Sequence, residues 1–214
     1  MKPLVVFGGT FDPVHVGHLR VALEASEFLD ADVRLMPART PPHRPAPVAS
    51  AEHRVAMLKR AIEGQKNLSV DARELLRGGP SYTLDTLIEL RAELPAQRSI
   101  ALLLGDDAFA GLPTWHRWRD LFGLAHFVVL TRPNHGSTVS GELDAEIAAR
   151  RTQDADDIRR SPSGKVLNLA VTPLEVSASA IRAILAAGRD PRWLVPDALV
   201  ADAAMLAPYR TSTR

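Results

Sequence analysis

Two histidines three residues apart, His15 and His18, close the run Gly8-Gly9-Thr10-Phe11-Asp12-Pro13-Val14-His15-Val16-Gly17-His18, directly after the apolar segment Leu4-Val5-Val6-Phe7. The apolar segment reads as a buried strand, and Leu19, Ala22, Leu23, Ser26 and Leu29 read as one face of a helix. Gly8 and Gly9 then bend the chain between them, and both imidazoles fall in the first helical turn. There, unpaired backbone N–H groups and the positive end of the helix dipole favour a phosphate chain. Gly17 removes a side chain where a nucleotide has to approach the backbone. Paired histidines also suit zinc, but zinc takes three or four protein ligands. The chain has no cysteine, and no third histidine or carboxylate stands at a familiar spacing. Asp12, ahead of Pro13, reads as a turn residue whose carboxylate accepts local N–H bonds.

A second anion-ready segment, Val176-Ser177-Ala178-Ser179-Ala180-Ile181-Arg182, again follows an apolar strand and opens a helix with Ile181, Ile184 and Leu185 on one face. Ser177 or Ser179 suits the cap of that helix. Arg182, projecting from its first turn, offers a triphosphate several donors in fixed geometry.

The elements that must position these residues follow from patterning. Buried strands are predicted at residues 33–36, 68–70, 100–104, 127–130 and 166–171. Helices are predicted at 50–62, 83–94, 115–124, 142–150, 179–187 and 196–206. Strand–helix alternation implies an α/β fold: a Rossmann-like, doubly wound parallel sheet with helices on both faces, in a single domain. In such a sheet ligands bind beyond the carboxyl ends of the strands, where the winding reverses. The domain is expected to span residues 1–209, with 210–214 a frayed tail. Residues 133–165 are expected to form a variable excursion with one helix, and the mixed charges of Arg150–Arg160 a solvated surface segment.

The 214 residues, 46% hydrophobic and with a formal net charge of +1, suffice for one sizeable core. No basic stripe suggests nucleic acid, and no apolar stretch suggests a signal peptide or a membrane span. The absence of cysteine excludes thiol redox chemistry and a disulfide framework, and suits a cytoplasmic protein.

Gly-Gly-Thr-Phe-Asp-Pro followed by His-Val-Gly-His resembles the nucleotidyltransferase superfamily that shares its active site with class I aminoacyl-tRNA synthetases. Val-Ser-Ala-Ser-Ala-Ile-Arg is similar to that superfamily's Ile-Ser-Ser-Thr-x-Ile-Arg motif. Ala178 departs from it by one hydroxyl, so no role of that side chain carries over. Further segments follow in order: Pro37-Ala38-Arg39-Thr40-Pro41-Pro42-His43-Arg44, Ser81-Tyr82-Thr83, Gly105-Asp106-Asp107 and Pro113-Thr114-Trp115-His116-Arg117-Trp118. Together they resemble the bacterial nicotinate mononucleotide adenylyltransferases across nearly the entire chain.

That resemblance implies an enzyme of NAD biosynthesis that joins ATP and nicotinate mononucleotide into nicotinate adenine dinucleotide and releases pyrophosphate. It implies His15, His18 and Arg182 as catalytic residues. The ATP side would comprise Gly8, Gly9, Thr10, Phe11 and Gly17, with Gly105, Asp107, Ser177 and Ser179. The mononucleotide side would comprise His43, Arg44, Tyr82, Thr83, Trp115, His116 and Arg132. Trp115 would stack on the nicotinate ring, while Thr83 and the backbone near His116 would meet its carboxylate. Magnesium would be held mainly by the ATP phosphates, with no protein metal ligand. The oligomeric state stays open. Competing readings are an adenylyltransferase preferring nicotinamide mononucleotide or phosphopantetheine, and a non-catalytic nucleotide sensor.

Overall fold

The computed structural model describes residues 1–39, 46–79, 81–131 and 141–210. Its centre is a seven-stranded, all-parallel sheet in the order β3-β2-β1-β4-β5-β7-β6. The strands are β1 (Leu4–Gly9), β2 (Asp32–Pro37), β3 (Leu68–Val70), β4 (Ile100–Gly105), β5 (His126–Thr131), β6 (Arg151–Thr152) and β7 (Val166–Ala170). The chain winds outward from β1 to β3, then returns to place β4 on the other side of β1, so the winding reverses between β1 and β4. A crevice at the carboxyl ends of those two strands is the geometric consequence.

Side chains alternate across the sheet and feed two cores. Val5, Phe7, Val33, Leu35, Leu103 and Val128 face one side. They pack there against α1 (Val16–Leu29), α2 (Ala51–Ala61), α8 (Ala155–Arg160), α9 (Ala178–Ala186), α10 (Asp197–Ala201) and α11 (Ala203–Leu206). Leu4, Val6, Ile100, Leu102, Phe127 and Val129 face the other, against α4 (Thr83–Glu93), α5 (Asp106–Ala110), α6 (Leu121–Leu124) and α7 (Glu142–Ile147). A short α3 (Arg73–Leu76) follows β3. Covering both faces is what allows β4 to read as a continuous apolar run, buried from Ile100 to Leu104.

Three local expectations need correction. Residues 115–124 do not form one helix, because Arg117 adopts a left-handed φ of 49° and separates two 3-10 turns, Leu112–Thr114 and Trp118–Asp120, ahead of α6. The stretch 196–206 is likewise broken at Asp202, which is extended and whose side chain caps α11 by accepting from the Ala204 N–H. Within 133–165 the described residues hold two helices and the edge strand β6, not one helix. The charged stretch Arg150–Arg160 is exposed on its outer side, but it is regular structure anchored by the buried Ile158. The tail residues 211–214 lie outside the described residues.

Candidate active site

The β1–α1 junction is tight, though not through its glycines. Gly8 and Gly9 remain in β1, paired with Met36 and Pro37, and the residue with a left-handed φ of 50° is Phe11. Its ring is buried, edge-on to Phe7 at 5.8 Å and to His18 at 4.9 Å between centroids. A Cβ on Gly9 would lie 2.9 Å from the Phe11 ring, so glycine is needed there to seat that ring rather than to turn the chain.

His15 caps α1 and His18 sits three residues on, with their rings stacked at 3.6 Å and inclined by 25°. The His15 backbone N–H donates to Nδ1 of His18 at 3.3 Å. That bond makes Nδ1 an acceptor, so in the neutral ring the proton sits on Nε2, which becomes the donor available to a ligand. Nδ1 of His15 is buried without a hydrogen-bond partner. Burial lowers the His15 pKa to about 4. Burial, with the neighbouring His15, lowers that of His18 to about 3. Both imidazoles are therefore neutral near pH 7, in a pocket poised for negative charge. Gly17 lines the cleft as well, and a Cβ there would lie 3.1 Å from Nδ1 of His15, so the missing side chain also leaves room for that ring.

The second motif, on the same face of the sheet as α1, closes the same cleft, of about 710 Å³. Ser177 caps α9, accepting from the Ala180 N–H at 3.2 Å. Arg182 donates to Ser179 Oγ at 3.1 Å and to the Asp12 carbonyl at 2.8 Å, a contact between residues 170 apart in sequence. Thr10, Phe11, Gly105, Ser177 and Ser179 all line the cleft together with both histidines and Arg182. On α5 the cleft is lined by Asp106, while Asp107 is exposed in the same turn.

Asp12 holds the loop together over a longer range than a local turn. Its buried carboxylate accepts from the N–H groups of Val48 and Ala49, at 2.8 and 3.0 Å, and from the Tyr209 hydroxyl at 2.8 Å. Burial and that bond push the Tyr209 pKa well above the usual phenol range, so the hydroxyl remains a donor. Arg54, 2% exposed on α2, donates to the carbonyls of Thr10 and Ala38 and so ties the loops after β1 and β2 to one guanidinium. Neither Tyr209 nor Arg54 belongs to a sequence motif read above, and only their buried polarity marks them.

Tyr82, Thr83, Trp115 and His116 do not line this cleft. Of these, the exposed Tyr82, at the N-cap of α4, packs its ring on His116 at 4.5 Å. Trp115 is half-buried against the second core, whereas Trp118 is buried within it against Phe122. His43, Arg44 and Arg132 lie outside the described residues. Among those described, no three His, Cys, Asp or Glu side chains gather as a metal cage, and no helix is long and apolar enough to cross a membrane.

A family model described as cytidylyltransferase-like matches residues 6–184. A curated relative from Pseudomonas paraeruginosa, named "Probable nicotinate-nucleotide adenylyltransferase", is 50% identical over 200 residues, covering 93% of each chain. A relative of the same name from Pseudomonas putida is 50% identical over 202 residues, covering 94% of this chain and 92% of its own. Among solved structures, a Plasmodium falciparum nicotinic acid mononucleotide adenylyltransferase complexed with NaAD superposes with a TM-score of 0.66 at 17% identity. It covers 96% of this chain and 98% of its own, and so shares the fold.

Proposed function

From the premise that the chain belongs to the nicotinate-nucleotide adenylyltransferases within the cytidylyltransferase-like family, we propose how its residues do that work. It is an enzyme that transfers the adenylyl group of ATP to nicotinate mononucleotide, giving nicotinate adenine dinucleotide and pyrophosphate, a step of NAD biosynthesis. The observation that carries the residue assignment is the meeting of His15, His18, Ser179 and Arg182 in one cleft from opposite ends of the chain.

The chemistry needs no protein nucleophile. A phosphate oxygen of the mononucleotide attacks the α-phosphorus of ATP, and the bond to the β-phosphate bridging oxygen breaks, its electrons leaving with pyrophosphate. The protein aligns the two and neutralises charge as it develops. His18 offers Nε2–H, His15 lines the cleft stacked on it, and Arg182 presents guanidinium donors. We assign these three to the phosphates of ATP, with Ser177 and Ser179 at the start of α9. Thr10, Phe11 and the β1 and β4 ends at Gly8, Gly9 and Gly105 shape the nucleotide's bed, and Gly17 clears room for His15. Asp107 is kept for a ribose hydroxyl. A divalent metal, magnesium in this proposal, enters with ATP as part of the substrate, held mainly by its phosphates.

For the acceptor we assign Trp115 to the nicotinate ring, Tyr82 and His116 beside it, and Thr83 with the backbone near His116 to the carboxylate. His43, Arg44 and Arg132 are proposed for its phosphate on sequence grounds. Residues 1–209 form the catalytic domain in this reading, in a cytoplasmic enzyme that works on small molecules rather than nucleic acid or membrane.

The test is pyrophosphate release with magnesium ATP and, separately, nicotinate mononucleotide, nicotinamide mononucleotide and phosphopantetheine. The nicotinate acceptor should be preferred. Preference for either of the others overturns the acceptor assignment, and silence with all three points to a nucleotide sensor.

A further inference from the structure

We infer that Tyr209 is a positioning residue for ATP binding, because its hydroxyl, acting through Asp12, keeps Arg182 free to grip phosphate. The inference rests on the assignment of Arg182 to the phosphates of ATP.

Asp12 and Tyr209 are 4% and 3% exposed, so this carboxylate has left water and must be satisfied by the protein. Its Oδ1 is held by the Tyr209 hydroxyl and the Ala49 N–H, and its Oδ2 by the Val48 N–H. Arg182 stands nearby with Nη1 4.0 Å from Oδ2, yet its hydrogen bond goes to the Asp12 backbone carbonyl at 2.8 Å. The buried cation here, Arg54, donates through Nη1 to the carbonyls of Thr10 and Ala38, and no ion pair within 4.0 Å joins it to Asp12 as one joins Arg182, although its Nε is unpartnered. With three neutral donors the carboxylate does not require Arg182 as a direct partner.

Removing the phenol hydroxyl leaves Oδ1 with one donor in a dry site, and an undersatisfied buried carboxylate draws in the nearest cation. That cation is Arg182. Its guanidinium would close the remaining gap onto Oδ2 and compete there with the phosphate it is meant to hold. The turn Ala207–Tyr209 packs against α9, which carries Arg182, so the phenol and the arginine are held by adjoining elements. A core tyrosine far from any motif thus sets the charge balance of the catalytic loop.

The experiment is a cycle of Tyr209→Phe, Arg182→Ala and the double variant, with the dissociation constant of magnesium ATP read by calorimetry. Phenylalanine keeps the ring in the core, and melting curves recorded alongside report the fold. Tyr209→Phe should weaken ATP about tenfold in the wild-type background, the scale of one hydrogen bond to a charged group, and should cost nothing further once Arg182 is alanine. An unchanged affinity, or the same loss in both backgrounds, overturns the inference, since a merely structural role would act without regard to Arg182. Turnover with nicotinate mononucleotide is measured on the same preparations. Its absence in wild type with the coupling intact overturns the activity alone, and additive losses with normal turnover overturn the positioning role alone.

Discussion

The imidazoles of His15 and His18 lie face to face, 3.6 Å apart, with one ring nitrogen of His15 unpaired and one of His18 fixed as an acceptor. Two rings this close, both depressed in pKa, hold little positive charge until an anion arrives. A triphosphate favours the protonated form of His15 and so raises its pKa from about 4, whereas Nδ1 of His18 already accepts a backbone N–H and holds that ring neutral. ATP binding should therefore take up protons on the acid side of neutrality, and affinity should strengthen as pH falls through the raised value. Calorimetry in buffers of different ionisation enthalpy would read this as a buffer-dependent heat. His15→Ala should reduce the uptake, and His18→Ala should lower turnover by about 10²- to 10³-fold, the scale of losing one transition-state donor, with the melting temperature little changed. Full turnover in His18→Ala would remove the residue from the catalytic set.

Gly17 offers a finer probe. A methyl group there meets Nδ1 of His15 at 3.1 Å, closer than ordinary contact, while the backbone of Gly17 is in a region any residue adopts. Gly17→Ala should keep the helix and displace the imidazole by a few tenths of an ångström, lowering kcat by about tenfold, as expected of a small misalignment. A normal kcat would show that His15 tolerates the shift and is not held to tight geometry.

Trp115, assigned to the acceptor, is half-buried and outside the cleft lined by His15, His18 and Arg182. Trp115→Ala should raise KM for nicotinate mononucleotide by at least about tenfold and leave KM for ATP nearly unchanged. Equal effects on both substrates would argue for a packing role instead.

His126 supplies a prediction about stability. It is fully buried in β5, with Nε2 at 2.8 Å from the Ser161 carbonyl and Nδ1 accepting from the Lys165 N–H at 3.0 Å. Burial lowers its pKa to about 4, whereas the unfolded chain takes up the proton near 6.5. The unfolded state binds more protons in that window, so stability rises with pH between about 4 and 6.5 and is lost on acidification. The slope per group is at most about 1.4 kcal/mol per pH unit. His126→Asn should shallow the acid side of a denaturant-unfolding series by up to one proton. An unaltered slope would mean that the ring is protonated in the native state.

Much of the donor half was legible because it is local. A strand, a loop and a helix start within eighteen residues carry both histidines, and the Ser177–Arg182 motif repeats that logic. The glycine argument failed in detail because Phe11, not glycine, takes the left-handed position, a choice set by the pocket its ring fills. The element β6 and helix α8 escaped because their run of Asp and Arg shows only Ile158 to the core, too little for a periodic signal. Asp12–Tyr209 was illegible for a different reason: a contact across 197 residues leaves no trace in spacing, and Tyr209 reads as an ordinary aromatic near the end of the helical region. The split at Arg117 is of the same kind, since nothing in Trp-His-Arg-Trp announces a reversed backbone.

In the proposed assignment the two cores divide the enzyme by substrate. Helices α1 and α9, to which the phosphates of ATP are assigned, rest on the layer with Val5, Leu35 and Leu185. The start of α4 and Trp115, assigned to the mononucleotide, rest on the opposite layer with Leu87, Leu102 and Phe127. The β-sheet stands between them as a partition. A packing change on one side moves the donor apparatus while the acceptor apparatus keeps its footing, so acceptor preference could drift over generations without disturbing how ATP is held.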